Sequence, residues 1–234
     1  MTISNETRSR FKNAFVPLAL AMGRAGLTPD ALTLIGFGIT VVGAVLVAMQ
    51  LWVIGGIVVF IGGAFDMFDG TLARATGKVS PLGAFMDSVF DRWGEAVVYL
   101  GIVAGAAFAG FDEGVVLAAA AMGAAFMVSY ARAKSEGLGF TEGTGMAAVG
   151  LMPREIRLVI LSIGLVVAGV LGLASCECGM PWPAETFSSG ALVLAITLAV
   201  IAIGATITTL QRILHVRSQA RQGASTTNPT ETNT

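Results

Sequence analysis

Asp66, Asp69, Asp87 and Asp91 all fall inside long apolar stretches, where a carboxylate near a bilayer centre costs about 2.5–3.5 kcal/mol. Asp66 and Asp69 are three apart, and Asp87 and Asp91 four apart, so each pair shares one helical face. The two stretches are consecutive and joined by a short loop, which predicts neighbouring helices and four converging carboxylates. Arg74 cannot neutralise four acids, and Arg92 projects about a hundred degrees from Asp91 on its helix. Hard divalent cations can, because all-oxygen sites suit Mg²⁺, Mn²⁺ or Ca²⁺. Two such ions balance four charges and imply displacement at phosphorus, where they steady attacking and leaving oxygens. The alternative, acids salt-bridged for packing, is disfavoured by the shortage of nearby bases. Gly70, Ala73 and Gly83 lie on the same faces and leave room for a bulky group, although each alone could serve helix packing.

Such a site needs long helices to hold it, and the composition supplies them. Of 234 residues, 55% are hydrophobic and only 12% charged, and the mean hydropathy is +0.79. A water-facing surface normally needs about a quarter of its residues charged, so a soluble domain is excluded. Two cysteines exclude a disulfide-rich scaffold and a four-cysteine zinc site. Six stretches reach the length of about 20 residues that a membrane span needs: 30–50, 53–74, 82–108, 114–134, 155–174 and 188–211. The first opens with Thr28-Pro29-Asp30 and the third with Ser80-Pro81, each a capping residue followed by a proline.

Before them, Phe11, Phe15, Leu18 and Met22 recur at helical spacing among Arg8, Arg10, Lys12 and Arg24. Pro17 interrupts this run, which favours an amphipathic surface helix over a signal peptide. The expected fold is therefore an all-α integral membrane protein: a surface helix over 1–27, six transmembrane helices over 28–221, and a disordered tail over 222–234. Six spans place all fourteen Lys and Arg on one side. Positive-inside bias makes that side cytoplasmic, with both termini and the aspartates there.

The pattern Asp66-x2-Asp69-Gly70-x2-Ala73-Arg74-x8-Gly83-x3-Asp87-x3-Asp91 resembles the complete signature of the CDP-alcohol phosphotransferases. The resemblance implies an alcohol attacking the β-phosphorus of a CDP-linked lipid such as CDP-diacylglycerol, releasing CMP. It implies two Mg²⁺ or Mn²⁺ ions on Asp66, Asp69, Asp87 and Asp91, with Asp91 also the base that takes the alcohol's proton. Asp30, Thr33, Asp66, Gly70, Ala73, Arg74, Ser80 and Gly83 would meet the CDP-lipid. A homodimer in the cell (inner) membrane follows from the same likeness, and no nucleic-acid partner is expected.

A phosphorylated acceptor needs a basic pocket, for which Arg132, Lys134, Arg154 and Arg157 are the candidates; positive-inside anchoring would explain them equally well. The stretch Ser129–Gly139 resembles that of phosphatidylinositol-phosphate synthases and their archaeal-lipid counterparts, which use inositol phosphate. Their span-five Arg-Pro-Glu-Arg element here reads Met152-Pro153-Arg154-Glu155-Ile156-Arg157. The arginine separation is kept, but proline and glutamate have moved. Glycerol 3-phosphate, the acceptor of phosphatidylglycerophosphate synthases, would need similar basic groups. A cation transporter is the alternative from another class, since intramembrane carboxylates can mark an ion path; the second half repeats no acidic motif. Trp52, Trp182 and Tyr99 are expected as membrane-interface anchors, Trp93 beside the site, and the segment 135–152 as a cover over substrate. His215 reads as an interfacial residue, and a disulfide between the outer Cys176 and Cys178 is chemically possible but strained across one intervening residue.

Overall fold

The computed structural model describes residues 16–17, 20–140, 149–172 and 189–226, without the side chains of 66, 67 and 222–226. Among the described residues six long helices follow one another: α1 (Pro29–Ala48), α2 (Trp52–Thr76), α3 (Pro81–Phe108), α4 (Asp112–Gly137), α5 (Arg154–Val170) and α6 (Ser189–Thr226). No strand occurs among the described residues. The expected caps form. Thr28 Oγ1 accepts from Ala31 N at 3.2 Å, and Ser80 Oγ accepts from Gly83 N at 3.0 Å; a cap of this kind is worth about 1 kcal/mol.

The helices close into a ring. α1 packs on α2, α2 on α5, α5 on α6, α6 on α4, α4 on α3, and α3 back on α1. The expectation that α2 and α3 are neighbours is corrected: they hardly meet, because α1 lies between them. Small residues on its two flanks admit it. A Cβ on Gly43 would come within 2.8 Å of the Val59 backbone nitrogen on α2, and a Cβ on Gly101 of α3 would collide with the Ala44 carbonyl. Where lipid removes the hydrophobic drive between helices, such backbone approach is what holds them together.

Among the described residues four helices are long and apolar enough to cross a membrane: α1, α2, α4 and the Ser189–Arg221 part of α6. The other two expected spans miss for identifiable reasons. Asp91, Arg92 and Glu95 interrupt the apolar run of α3, and α5 has only 17 residues. The chain is a helical membrane protein, its outer surface rich in exposed Val, Ile, Leu and Phe and its core in small residues.

Trp52 and Tyr99, expected as membrane-interface anchors, are buried in the protein core. They are 2% and 0% exposed, the Trp52 ring filling the space beside Gly105. Trp93 is 61% exposed and stacks with Phe37 and Phe90 instead of lining the site. Residues 20–24 are helical, and Met22 and Leu27 pack on Leu32, Phe68 and Leu72 at the α1–α2 seam. Most of the expected surface helix lies outside the described residues, as do Cys176, Cys178, Trp182 and residues 141–148. The tail expected from 222 begins as helix, since α6 runs on to Thr226; residues 227–234 lie outside the description.

Candidate active site

Where α1 starts, α2 ends and α3 starts, a cavity of about 260 Å³ opens. Asp30 and Thr33 reach it from α1, Asp69, Gly70, Ala73 and Arg74 from α2, and Ser80, Gly83 and Asp87 from the start of α3. These residues come from three stretches of sequence, and α1, packed against both α2 and α3, brings them to one cavity. Thr33 is the contact that ties α1 to the acids, its hydroxyl donating to Asp69 Oδ2 at 2.5 Å. Asp69 is 4% exposed, and its other oxygen accepts from the Gly70 amide.

The two glycines keep the cavity open. A Cβ on Gly70 would sit 3.3 Å from Arg74 Nη1. A Cβ on Gly83 would sit 3.1 Å from Ser80 Oγ and 3.3 Å from Asp30 Oδ1. Ser80 therefore caps α3 and faces the cavity at once. The donor set is carboxylate oxygen from two helices, the chemistry that hard divalent ions prefer. Among the described residues no three His, Cys, Asp or Glu side chains are gathered closely enough to hold an ion; the side chain of Asp66, one turn before Asp69, is outside the description.

Asp91, one turn beyond Asp87, turns to a different partner. Arg154 Nη1 lies 2.5 Å from its Oδ1, so the first residue of α5 reaches across the ring interior to α3. Arg92, expected to point away, folds back to place Nη1 3.9 Å from Asp91 Oδ2. A second rung lies one turn deeper. Arg157 donates from Nε and Nη2 to the two carboxylate oxygens of Glu95, both at 2.8 Å, and from Nη1 to the Met152 carbonyl at 2.9 Å. At 1% exposure Arg157, expected among the acceptor-binding groups, is held by Glu95 and Met152. A cavity of about 30 Å³ beside this rung is lined by Thr40, Glu95, Tyr99, Arg154 and Arg157 among others.

The remaining basic candidates are spread out. Arg132 pairs with Glu136 at 2.9 Å, one turn on along α4, and Lys134 is exposed. Arg212, counted in the sequence only among the one-sided bases, is buried and donates to the carbonyls of Val149 at 3.0 Å and Val128 at 2.5 Å. Glu95 was overlooked although a signal was present, since it continues the face of Asp87 and Asp91 by one further turn.

A family model described as CDP-alcohol phosphatidyltransferase matches residues 26–216. The chain is 33% identical over 220 residues to the phosphatidylinositol phosphate synthase of Mycobacteroides abscessus, covering 92% of this chain and 88% of that one. It is 35% identical over 159 residues to the archaetidylinositol phosphate synthase of Pyrococcus horikoshii, covering 68% and 80%. Among solved structures, phosphatidylinositol phosphate synthase of Mycobacterium tuberculosis with CDP-DAG bound superposes with a TM-score of 0.69 at 30% identity, covering 86% of this chain and 92% of the other. The same enzyme in complex with manganese and citrate gives 0.70 at 29%, covering 87% and 89%.

Proposed function

The chain belongs to the CDP-alcohol phosphatidyltransferase family, and from that premise we propose that it transfers the phosphatidyl group of CDP-diacylglycerol to inositol 1-phosphate, releasing CMP. The observation that carries the reading is the cavity at the junction of α1, α2 and α3, which gathers Asp30, Thr33, Gly70, Ala73, Arg74, Ser80 and Gly83 next to the aspartates. Thr33 and the Asp69 carboxylate fix one another, Arg74 offers a cation for a diphosphate, and Gly70 and Gly83 let the nucleotide approach the backbone. Solved relatives bound to CDP-DAG and to manganese support the same assignment.

Asp66, Asp69, Asp87 and Asp91 would hold two divalent ions, Mg²⁺ or Mn²⁺, whose chemistry there is to neutralise charge around the reacting phosphorus. Asp91, one helical turn beyond Asp87 and beside Arg154, takes the proton of the attacking hydroxyl. Arg154 beside Asp91 receives the acceptor's phosphate, with Arg132 and Lys134 drawing the anion toward it. Phosphate and hydroxyl of one small molecule are thereby presented together at the base.

The same proposal includes six spans, an interfacial N-terminal helix, both termini and the active site on the cytoplasmic face of the cell membrane, and a homodimer. The one-sided Lys and Arg distribution supports the orientation; the dimer rests on resemblance. Family membership sets the transporter reading aside. The test is CMP release by purified protein given CDP-diacylglycerol, Mg²⁺ and, separately, inositol 1-phosphate, glycerol 3-phosphate, inositol or serine. Release with inositol 1-phosphate alone is expected; release with glycerol 3-phosphate alone would move the acceptor assignment, and release with serine or inositol would remove the need for Arg154.

A further inference from the structure

α3 and α5 are not adjacent in the ring, and α5 takes its place from α2 and α6. The distance from Arg154 to Asp91 also depends on what joins α3 and α5 directly, and the structure offers one device. Asp91 and Glu95 are four apart on α3, Arg154 and Arg157 three apart on α5, and the four side chains form two parallel rungs. We infer that the deeper rung is a positioning device: Glu95 and Arg157, braced through Met152 against Thr208, hold Arg154 where it can take an acceptor's phosphate beside Asp91. The inference rests on the phosphorylated-acceptor reading above.

The bracing can be followed bond by bond. Arg157 grips Glu95 in bidentate fashion and the Met152 carbonyl with its third nitrogen. The amide of Met152 donates to Thr208 Oγ1 at 2.9 Å, and that of Leu151 to Gln211 Oε1 at 3.2 Å. Both peptide groups of Met152 are therefore held, one by α5 and one by α6. Pro153 follows as an N-cap without a side-chain hydrogen bond, so the entry angle of α5 is fixed by this clamp. Arg154 is the next residue.

The two rungs differ in what they can release. Arg157 could leave Glu95 only by stranding a buried carboxylate, which makes the deeper pair a fixture. The outer pair is more open, with side chains 24% and 16% exposed for Arg154 and Asp91, and an incoming phosphate can share Arg154 without such a penalty. The substrate specificity assigned to an arginine pair thus divides into one contacting and one positioning arginine.

Initial rates of CMP release decide the matter, with inositol 1-phosphate and CDP-diacylglycerol varied separately for the full-length wild type, Glu95→Gln, Arg157→Lys and Thr208→Val. Displacement of a substrate-binding group by about 1 Å can cost about a hundredfold, so Glu95→Gln should raise the acceptor KM by about ten- to a hundredfold while the CDP-diacylglycerol KM moves by less than about twofold. Arg157→Lys keeps the charge but loses the fork and should fall between. Thr208→Val keeps the volume and removes one neutral hydrogen bond, for about a threefold rise in acceptor KM; it carries the test if Glu95→Gln does not fold. Equal shifts in both KM values, or an unchanged acceptor KM in folded Glu95→Gln or Thr208→Val, would overturn the inference. A wild type that releases CMP with neither inositol 1-phosphate nor glycerol 3-phosphate would overturn the acceptor reading and this inference with it, whereas activity with either isolates the inference.

Discussion

The cavity at the α1–α2–α3 junction and the ion-pair ladder between α3 and α5 share one helix and are built from opposite materials. The cavity is made of helix ends, small residues and one threonine–aspartate hydrogen bond. The ladder is made of four charged side chains joining two helices that are not adjacent in the ring. A nucleotide-linked lipid is large and needs space close to backbone, which glycines and caps provide. A small anionic acceptor needs charge held at a distance, which long arginines provide. In the proposed reaction these are two half-sites whose variants should behave differently, with Asp91, on the helix they share, as the proposed base that joins them.

The largest effect should come at that common point. Asp91→Asn keeps the shape and cannot take a proton, so kcat should fall by about 10²–10⁴-fold while titration with CDP-diacylglycerol still shows binding; retained turnover would remove the base assignment. Arg154→Ala comes next. Loss of a charge-assisted contact worth about 1.5–3 kcal/mol should raise the acceptor KM by about ten- to a hundredfold and leave the CDP-lipid KM nearly in place. Gly83→Ala acts on the other half-site: its methyl would crowd Ser80 and Asp30, and overpacking of about 1–3 kcal/mol predicts a CDP-lipid KM raised by about tenfold. The smallest change belongs to Ser80→Ala, where loss of the α3 cap should lower the thermal midpoint by a few degrees, corresponding to about 1 kcal/mol, and weaken CDP-lipid binding slightly. A larger effect on acceptor than on lipid there would blur the division between the half-sites.

The two half-sites were also unequally legible. The cavity follows from spacing, because Asp69, Gly70, Ala73 and Arg74 occupy one end of one helix and Ser80, Gly83 and Asp87 the start of the next. Local helical geometry is enough to group them. That α1 would slide between those helices was not visible, since the fit depends on which small residue meets which backbone, as at Gly43 and Gly101. The ladder needed a fact no single stretch contains: that α3 faces α5 across the ring. Arg154 and Arg157 look alike in sequence, and only the position of Glu95 separates them. Trp52 was misplaced for a related reason, since an aromatic at a helix start suits a membrane interface or a core lined by glycine, and Gly105 decides for the core.

Separation of the half-sites is the central claim, and crossed kinetics test it most directly: CMP release by Gly83→Ala and Arg154→Ala, each with CDP-diacylglycerol and inositol 1-phosphate varied in turn. The account predicts that Gly83→Ala raises only the lipid KM and Arg154→Ala only the acceptor KM. Both variants moving both constants by the same factor would contradict it.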